Sequence, residues 1–271
     1  MSRSHKATVQ KQFTKTAEAF SKSVVRDSPE VLAEKLEFVK PQPADLSLDV
    51  ACGPGAFVLA LAPRVRFARG IDLTEELLRR ARYLQFERNI LNAAFDRGEA
   101  EHLPYPNAAY DLVNCQCSLH HMSKPVVALR EMVRVMKPEG RLAVIDTLGP
   151  ESDSKFELHN RIESTRDPSH ALSLRLTTFL EIFDDLGLEI ARQSVRRRQR
   201  SFNQWMLRAG LGPGHGRYKE TRRLLEECIP GDRAGYSARV EDEDISIVHH
   251  EGMFLLVTSK VVDGGAATGR W

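Results

Sequence analysis

Apolar and polar positions change their period along this chain, and the changes mark its elements. Leu48 to Val50, Phe67 to Ile71, Ala93 to Phe95, Asp111 to Ser118 and Leu142 to Asp146 are short apolar runs that read as strands. Between them lie stretches of helical period. Ala56 to Ala62 is one, and Lys124 to Met136 is another. A third follows Thr74, a candidate cap, with Glu75 and Glu76 in its first turn and Leu77, Leu78, Ala81 and Leu84 on its buried side. Strands and helices in alternation predict an α/β fold with a doubly wound, mostly parallel sheet.

The flanks carry helical patterns of their own. Val9 to Ser23 sets Val9, Phe13, Ala17 and Phe20 on one side of a helix, and Pro29 to Val39 forms a second that Pro41 and Pro43 stop. Beyond Asp146, Ser154 to Asp167 reads as a helix with a polar set, His159, Asn160, Arg161 and Glu163, beside Phe156, Leu158 and Ile162. Leu172 to Leu186 is amphipathic and closed by Gly187. A strand is expected at Leu188 to Val195, helices at Phe202 to Ala209 and Tyr218 to Ile229, and a last strand region at Ile245 to Val262. His249-His250-Glu251-Gly252 predicts a bend or hairpin within that region. The Gly- and Ala-rich tail, 263–271, is expected to be flexible.

Composition narrows the class. With 271 residues, 42% of them hydrophobic, and a net charge of +2, the chain fits one large soluble domain. No apolar run reaches membrane-spanning length, and the polar start with Arg3, His5, Lys6 and Lys11 is not that of a secretory signal. Cys52, Cys115, Cys117 and Cys228 lack metal or framework spacing, which points to a reducing cytoplasm and no bound metal. Cys115 and Cys117 should share a buried strand face. Arg196-Arg197-Arg198-Gln199-Arg200 is the densest basic run, read as a solvated edge strand or loop because the rest of the chain is near neutral and no aromatics interleave.

The candidate chemistry lies in the first strand-helix-strand unit. Gly53 and Gly55 at its turn let backbone pass close to a ligand, and Asp72 closes the second strand where a carboxylate can accept from ribose hydroxyls. A nucleoside is therefore expected. A dinucleotide is disfavoured, since Val58 stands where a third glycine belongs and Asp49 would repel a pyrophosphate. A cationic or zwitterionic ligand suits Asp49 better.

Asp49-Val50-Ala51-Cys52-Gly53-Pro54-Gly55 resembles the first motif of class I S-adenosylmethionine-dependent methyltransferases, with Ala51 where that motif usually has Gly. The adjacent His120 and His121, the helix end Arg134-Val135-Met136-Lys137-Pro138 and the Gly140 turn resemble the UbiE-like (methyltransferase type 11) branch. The resemblance implies a Rossmann-like sheet of seven strands whose last two form an antiparallel edge hairpin. It implies S-adenosyl-L-methionine as cofactor, held by Asp49, Ala51, Gly53, Gly55, Asp72, Leu73, Gln116 and His121, with Glu99 and the amide of Ala100 at the adenine. An N-terminal helical lid, residues 1–43, would place Phe13 and Phe20 over the cofactor. Residues 44–262 would form the methyltransferase domain, with an acceptor cap near 150–187.

Methyl transfer from a sulfonium is a direct displacement that needs alignment, exclusion of water and, for some acceptors, a base. His120, His121 and His170 are the candidates, since imidazole titrates near neutral pH. The expected partner is a small-molecule acceptor taking the methyl on oxygen, carbon or nitrogen, with no nucleic acid and no membrane span; a homodimer is left open. Two alternatives remain: a cofactor-bound protein running a non-methylating reaction, and an RNA or protein methyltransferase. The latter is disfavoured by Gln116-Cys117-Ser118-Leu119 at the end of the fourth strand, where base-amine enzymes need a different motif.

Overall fold

The computed structural model describes residues 3–25 and 29–259; side chains at positions 3, 19–25 and 29 lie outside that description, as does the tail expected to be flexible. Two helices come first, α1 (Arg3–Val25) and α2 (Pro29–Val39). The alternating part follows: β1 (Leu46–Val50), α3 (Ala56–Leu61), β2 (Phe67–Asp72), α4 (Glu75–Glu87), β3 (Ala93–Arg97), β4 (Tyr110–Gln116), α5 (Pro125–Val135) and β5 (Met136–Leu148). The second half contains α6 (Asp153–Arg166), α7 (Leu176–Asp185), β6 (Leu188–Ser201), α8 (Phe202–Arg208), α9 (Gly216–Cys228), β7 (Arg239–Glu241) and β8 (Asp244–Thr258).

The strands form one sheet in the order β3-β2-β1-β4-β5-β8-β6, with β7 paired to β8. The first five are parallel, while β8 runs antiparallel to both β5 and β6. The strand order reverses between β1 and β4, so a crevice opens at their C-terminal ends. The sheet is apolar on both faces. On one, Leu48, Val113, Val144 and Phe254 meet α5 and α7; on the other, Leu112, Ala143 and Leu255 lie in the cluster that contains α2, α3 and α4. Helix α5 shows why: Ala128, Leu129, Met132 and Val135 recur at helical spacing, and all are fully buried.

The second half does something further. Strand β8 pairs with β5 only from His250 onward, opposite Leu148, while Ser246 to His249 continue against β6, with β7 pairing on the other edge as far as Ser246. The β6–β8 ladder therefore projects past the C-terminal end of β5. It supports a separate small core in which Phe202, Trp205, Tyr218, Leu225, Tyr236, Ile245 and Ile247 pack with Ile162 of α6. This cap of α6, α8, α9 and β7 stands over the crevice.

Several expectations change here. The cap expected near 150–187 contains α6 but not α7, whose Phe179 and Phe183 rings lie 5.4 and 5.1 Å from Phe254 in the sheet core. Its larger part comes from residues beyond Arg196. No bend occurs at His249-His250-Glu251-Gly252, which lie within β8; the chain reverses between β7 and β8, where Asp242 has φ of 54°. Gly252 is there for packing, since a Cβ would sit 2.8 Å from the Phe254 ring. The seven expected strands gain β7 as an eighth. Thr74 is the N-cap residue of α4, yet its side chain makes no capping bond. Cys115 is buried in the core, whereas Cys117, with φ of 49°, breaks the alternation and faces the cavity.

Candidate active site

The crevice is a cavity of about 320 Å³ between the strand ends, α1 and the cap. Asp49, second to last in β1, reaches it from a position only 3% exposed. Its Oδ1 has no hydrogen-bond partner. Burial pushes the carboxyl up to about 8, Asp72 adds to the rise, and Lys35 of α2 opposes it. A buried acid in that state is a receptor for a positive charge.

The turn after β1 is left-handed at Ala51 (φ 58°) and Gly53 (φ 55°), both on the cavity wall. Alanine carries a steric cost of about 1 kcal/mol in that conformation. Gly55 does not line the cavity. Its φ is 77°, and a Cβ there would lie 2.6 Å from Phe95 and 2.8 Å from Ala81, so this glycine serves helix-to-sheet packing and not ligand approach. Asp72 lines the cavity but is already engaged: Oδ2 accepts from the Gly53 amide and Oδ1 from the Thr74 amide, each at 2.8 Å. It holds the turn in shape as well as facing the ligand space. Leu73, Glu99, Ala100 and Gln116 also line the cavity, and the Gln116 amide nitrogen is buried without a partner.

Helix α1 covers this end. The His5 ring donates to the His121 carbonyl at 2.9 Å, and the Gln10 amide donates to the Leu73 carbonyl at 3.2 Å. Lys6 pairs with Glu99 and lies 3.4 Å from Glu101, so Glu99 shares its charge with α1. The Phe13 ring stands edge-on to His121 at 5.1 Å. Phe20, the other aromatic expected over the cofactor, has its side chain outside the described residues.

A single turn of 3-10 helix, Leu119 to His121, follows β4 and presents the histidines. His120 Nδ1 donates to Asp146 Oδ1 at 2.5 Å. Asp146, at the end of β5, is 1% exposed and also accepts the amides of Leu119 and Thr147, each at 2.7 Å. Burial alone would lower the His120 pKa; the charge and hydrogen bond of Asp146 outweigh it and raise it. His121 is different. Its Nδ1 must be a donor, because the Ser169 carbonyl faces it at 3.0 Å, and burial with the His120 charge pushes it down to about 4. His170 does not line the cavity. It is buried behind His120 at 5.7 Å between rings, donates from Nε2 to Asn160 at 2.9 Å, and is pushed by burial to about 3.

The opposite wall belongs to the cap. Glu163, Arg166 and Asp167 enter from the end of α6, Trp205 and Arg208 from α8, Arg198 and Arg200 from β6, and His249 from β8. The basic run is thus no solvated edge: Arg196, Arg198 and Arg200 alternate inward while Arg197 and Gln199 face solvent. Arg196 and Arg198 share Glu251 at 2.6 and 3.1 Å. Lys35, Asp146 and these arginines escaped the sequence reading. No local pattern in the sequence separates them from ordinary surface charges.

The family described as "Methyltransferase domain" matches residues 48–144. The chain is 30% identical over 200 residues to the uncharacterized methyltransferase YcgJ of Bacillus subtilis, covering 73% of this chain and 78% of that one. The class I methyltransferases include this chain. The YcgJ crystal structure superposes with a TM-score of 0.78 at 24% identity, over 84% of this chain and 98% of that one. Demethylmenaquinone methyltransferase of Listeria monocytogenes is 32% identical over 120 residues, 43% of this chain and 51% of its own length. Geranyl diphosphate C-methyltransferase from Streptomyces coelicolor, solved with S-adenosyl-L-homocysteine, shares the fold at a TM-score of 0.60 and 14% identity, over 84% of this chain and 78% of that one. The methyltransferase is thus an enzyme of a family that uses S-adenosylmethionine. Among its described residues no helix is long and apolar enough to cross a membrane.

Proposed function

We propose that this methyltransferase transfers the methyl group of S-adenosylmethionine to a small-molecule acceptor inside the cavity. Asp49 carries the reading. A buried carboxylate with an unpartnered oxygen fits the ammonium of an amino-acid end, and Lys35 and the Gln116 amide offer that end's carboxylate a cation and a donor. The sulfonium, when bound, supplies an activated methyl and a neutral leaving group.

The chain's own residues align the reactants, keep water out and handle one proton. Helix α1 closes the cofactor side through His5, Lys6, Gln10 and Phe13. His120 is the base. With Nδ1–H fixed on Asp146, its Nε2 is the free acceptor, and the buried Asp146 charge stabilises the imidazolium that forms. His121 and His170, both pushed far below neutrality, act instead as neutral wall and support. A covered cavity of this size suits a small acceptor and not a polymer.

The test is calorimetric titration with S-adenosylhomocysteine, followed by release of that product from S-adenosylmethionine across a panel of phenols, hydroxy acids and amines. Tight binding that Asp49→Asn weakens, with turnover on a panel member, is the expected outcome. Absence of binding to the unmodified protein removes the reading.

A further inference from the structure

A guanidinium in the cavity has no partner among the described residues. Arg200 comes from the inward side of β6, and its side chain has no hydrogen bond or ion pair among the described residues; its Nε is buried without a partner. Its surroundings add to the cost. Burial, Arg208 and Arg198 together push the guanidinium down to about 10. The nearby carboxylates are committed elsewhere: Glu251 to Arg196 and Arg198, and Glu163 to His249 at 3.1 Å and Arg166 at 3.5 Å. Asp167 accepts from the Ser169 hydroxyl at 2.5 Å. An unpaired guanidinium held out of water is expensive unless something else brings the anion.

We propose that Arg200, with Arg198 and Arg208 beside it, receives an anionic group of the acceptor, a carboxylate or a phosphate. The proposal rests on the methyl-transfer reading, which makes the cap side of the cavity the acceptor's side. A guanidinium fork matches both oxyanions bidentately, which a lysine cannot do. The cofactor's own carboxylate is a poorer occupant, because Lys35 already stands beside Asp49 on the cofactor side. Arg200 and Arg208 come from β6 and α8, beyond β8 in the sheet order. Trp205, 4% exposed and on the same wall, gives the acceptor's body an apolar surface.

The experiment titrates three probes, benzoate, phenyl phosphate and uncharged benzamide, into the protein saturated with S-adenosylhomocysteine. We expect at least one anion to bind at least tenfold more tightly than benzamide, and the stronger of the two to tell carboxylate from phosphate. In Arg200→Met the preference should vanish, while S-adenosylhomocysteine affinity stays within twofold and the melting temperature does not fall. If that variant fails to fold, Arg200→Lys, which keeps the charge and loses the fork, must still reduce the preference at least threefold. Equal or absent binding of the three probes to the unmodified protein overturns the proposal. So does an unchanged preference in the variants, or a loss of S-adenosylhomocysteine affinity in Arg200→Met, which would assign the guanidinium to the cofactor. If S-adenosylhomocysteine does not bind the unmodified protein at all, the same titrations on the free protein still decide the anion site, and only the cofactor reading fails.

Discussion

The two sides of the cavity differ in charge, in origin and in how firmly their charges are paired. On the side of β1 to β3 stand Asp49, Asp72, Glu99 and Glu101, with Lys6 and Lys35 among them; on the side of the cap stand Arg166, Arg198, Arg200 and Arg208, with Glu163 and Asp167. The first set sits at the ends of parallel strands, where short turns fix each side chain. The second sits on a ladder that projects past the sheet and on two helices, α6 and α8, laid over it. Each side also holds a buried polar atom without a hydrogen-bond partner among the described residues, Asp49 Oδ1 on one and Arg200 Nε on the other. A ligand pair with a cationic end and an anionic end would satisfy both, which a uniformly charged cleft could not do. Between them lies His120, oriented by Asp146.

The largest effect should fall at that junction. His120→Ala should lower turnover on a proton-losing acceptor by about 10²- to 10⁴-fold, with cofactor affinity unchanged. Because Asp146 raises the His120 pKa above its ordinary 6.5, the neutral base gains population only as pH climbs past that raised value. Turnover in the unmodified enzyme should rise along that limb, and Asp146→Asn should shift the limb to lower pH.

Asp49→Asn comes next, on the acidic side. The ammonium loses its charged acceptor, at about 1.5–3 kcal/mol, so S-adenosylhomocysteine affinity should drop roughly ten- to a hundredfold. The free protein should at the same time melt higher at pH 8, since an acid with a raised pKa costs folding stability once it must ionise. A fall in both would mean that Asp49 holds the fold and not a ligand.

Stability in mild acid separates the cap side and the junction from the rest. His121, His170 and His249 are held neutral at about 4, 3 and 4, well below 6.5. Unfolding lets them take up protons, so their contribution is complete above pH 6.5 and is lost as pH falls toward 4, by up to about 1.4 kcal/mol per pH unit for each group. Urea midpoints should fall over that window, and less steeply in His249→Gln. The smallest effect belongs to α1: Lys6→Ala removes a partly exposed pair worth about 0.2–1 kcal/mol, which should change cofactor affinity by at most about fivefold.

How much of this was legible follows from how local the signal is. The turn at Asp49 to Gly55 and the acid at Asp72 are written in contiguous residues whose spacing is itself the geometry. The five parallel strands were readable because each is a short apolar run between turn residues. The cap was legible only in its α6, because its core joins Ile162 to residues beyond 200, and no local period reports such a pairing. Arg200 illustrates the limit. In sequence it belongs to a polar run, and only the register of β6 on β8 turns it inward. The packing at Gly55 is hidden for a similar reason, since what a Cβ would strike there is Phe95, forty residues away in the chain.

Proton release on cofactor binding tests the central claim most directly. Asp49, with its pKa near 8 in the free protein, is mostly protonated at pH 7. Pairing with an ammonium ionises it. Titration of S-adenosylhomocysteine at pH 7 in buffers of different ionisation enthalpy should therefore show close to one proton released per molecule bound, and none in Asp49→Asn. Binding with no proton released, or the same release in both proteins, would contradict the assignment of Asp49 as the cofactor's anchor.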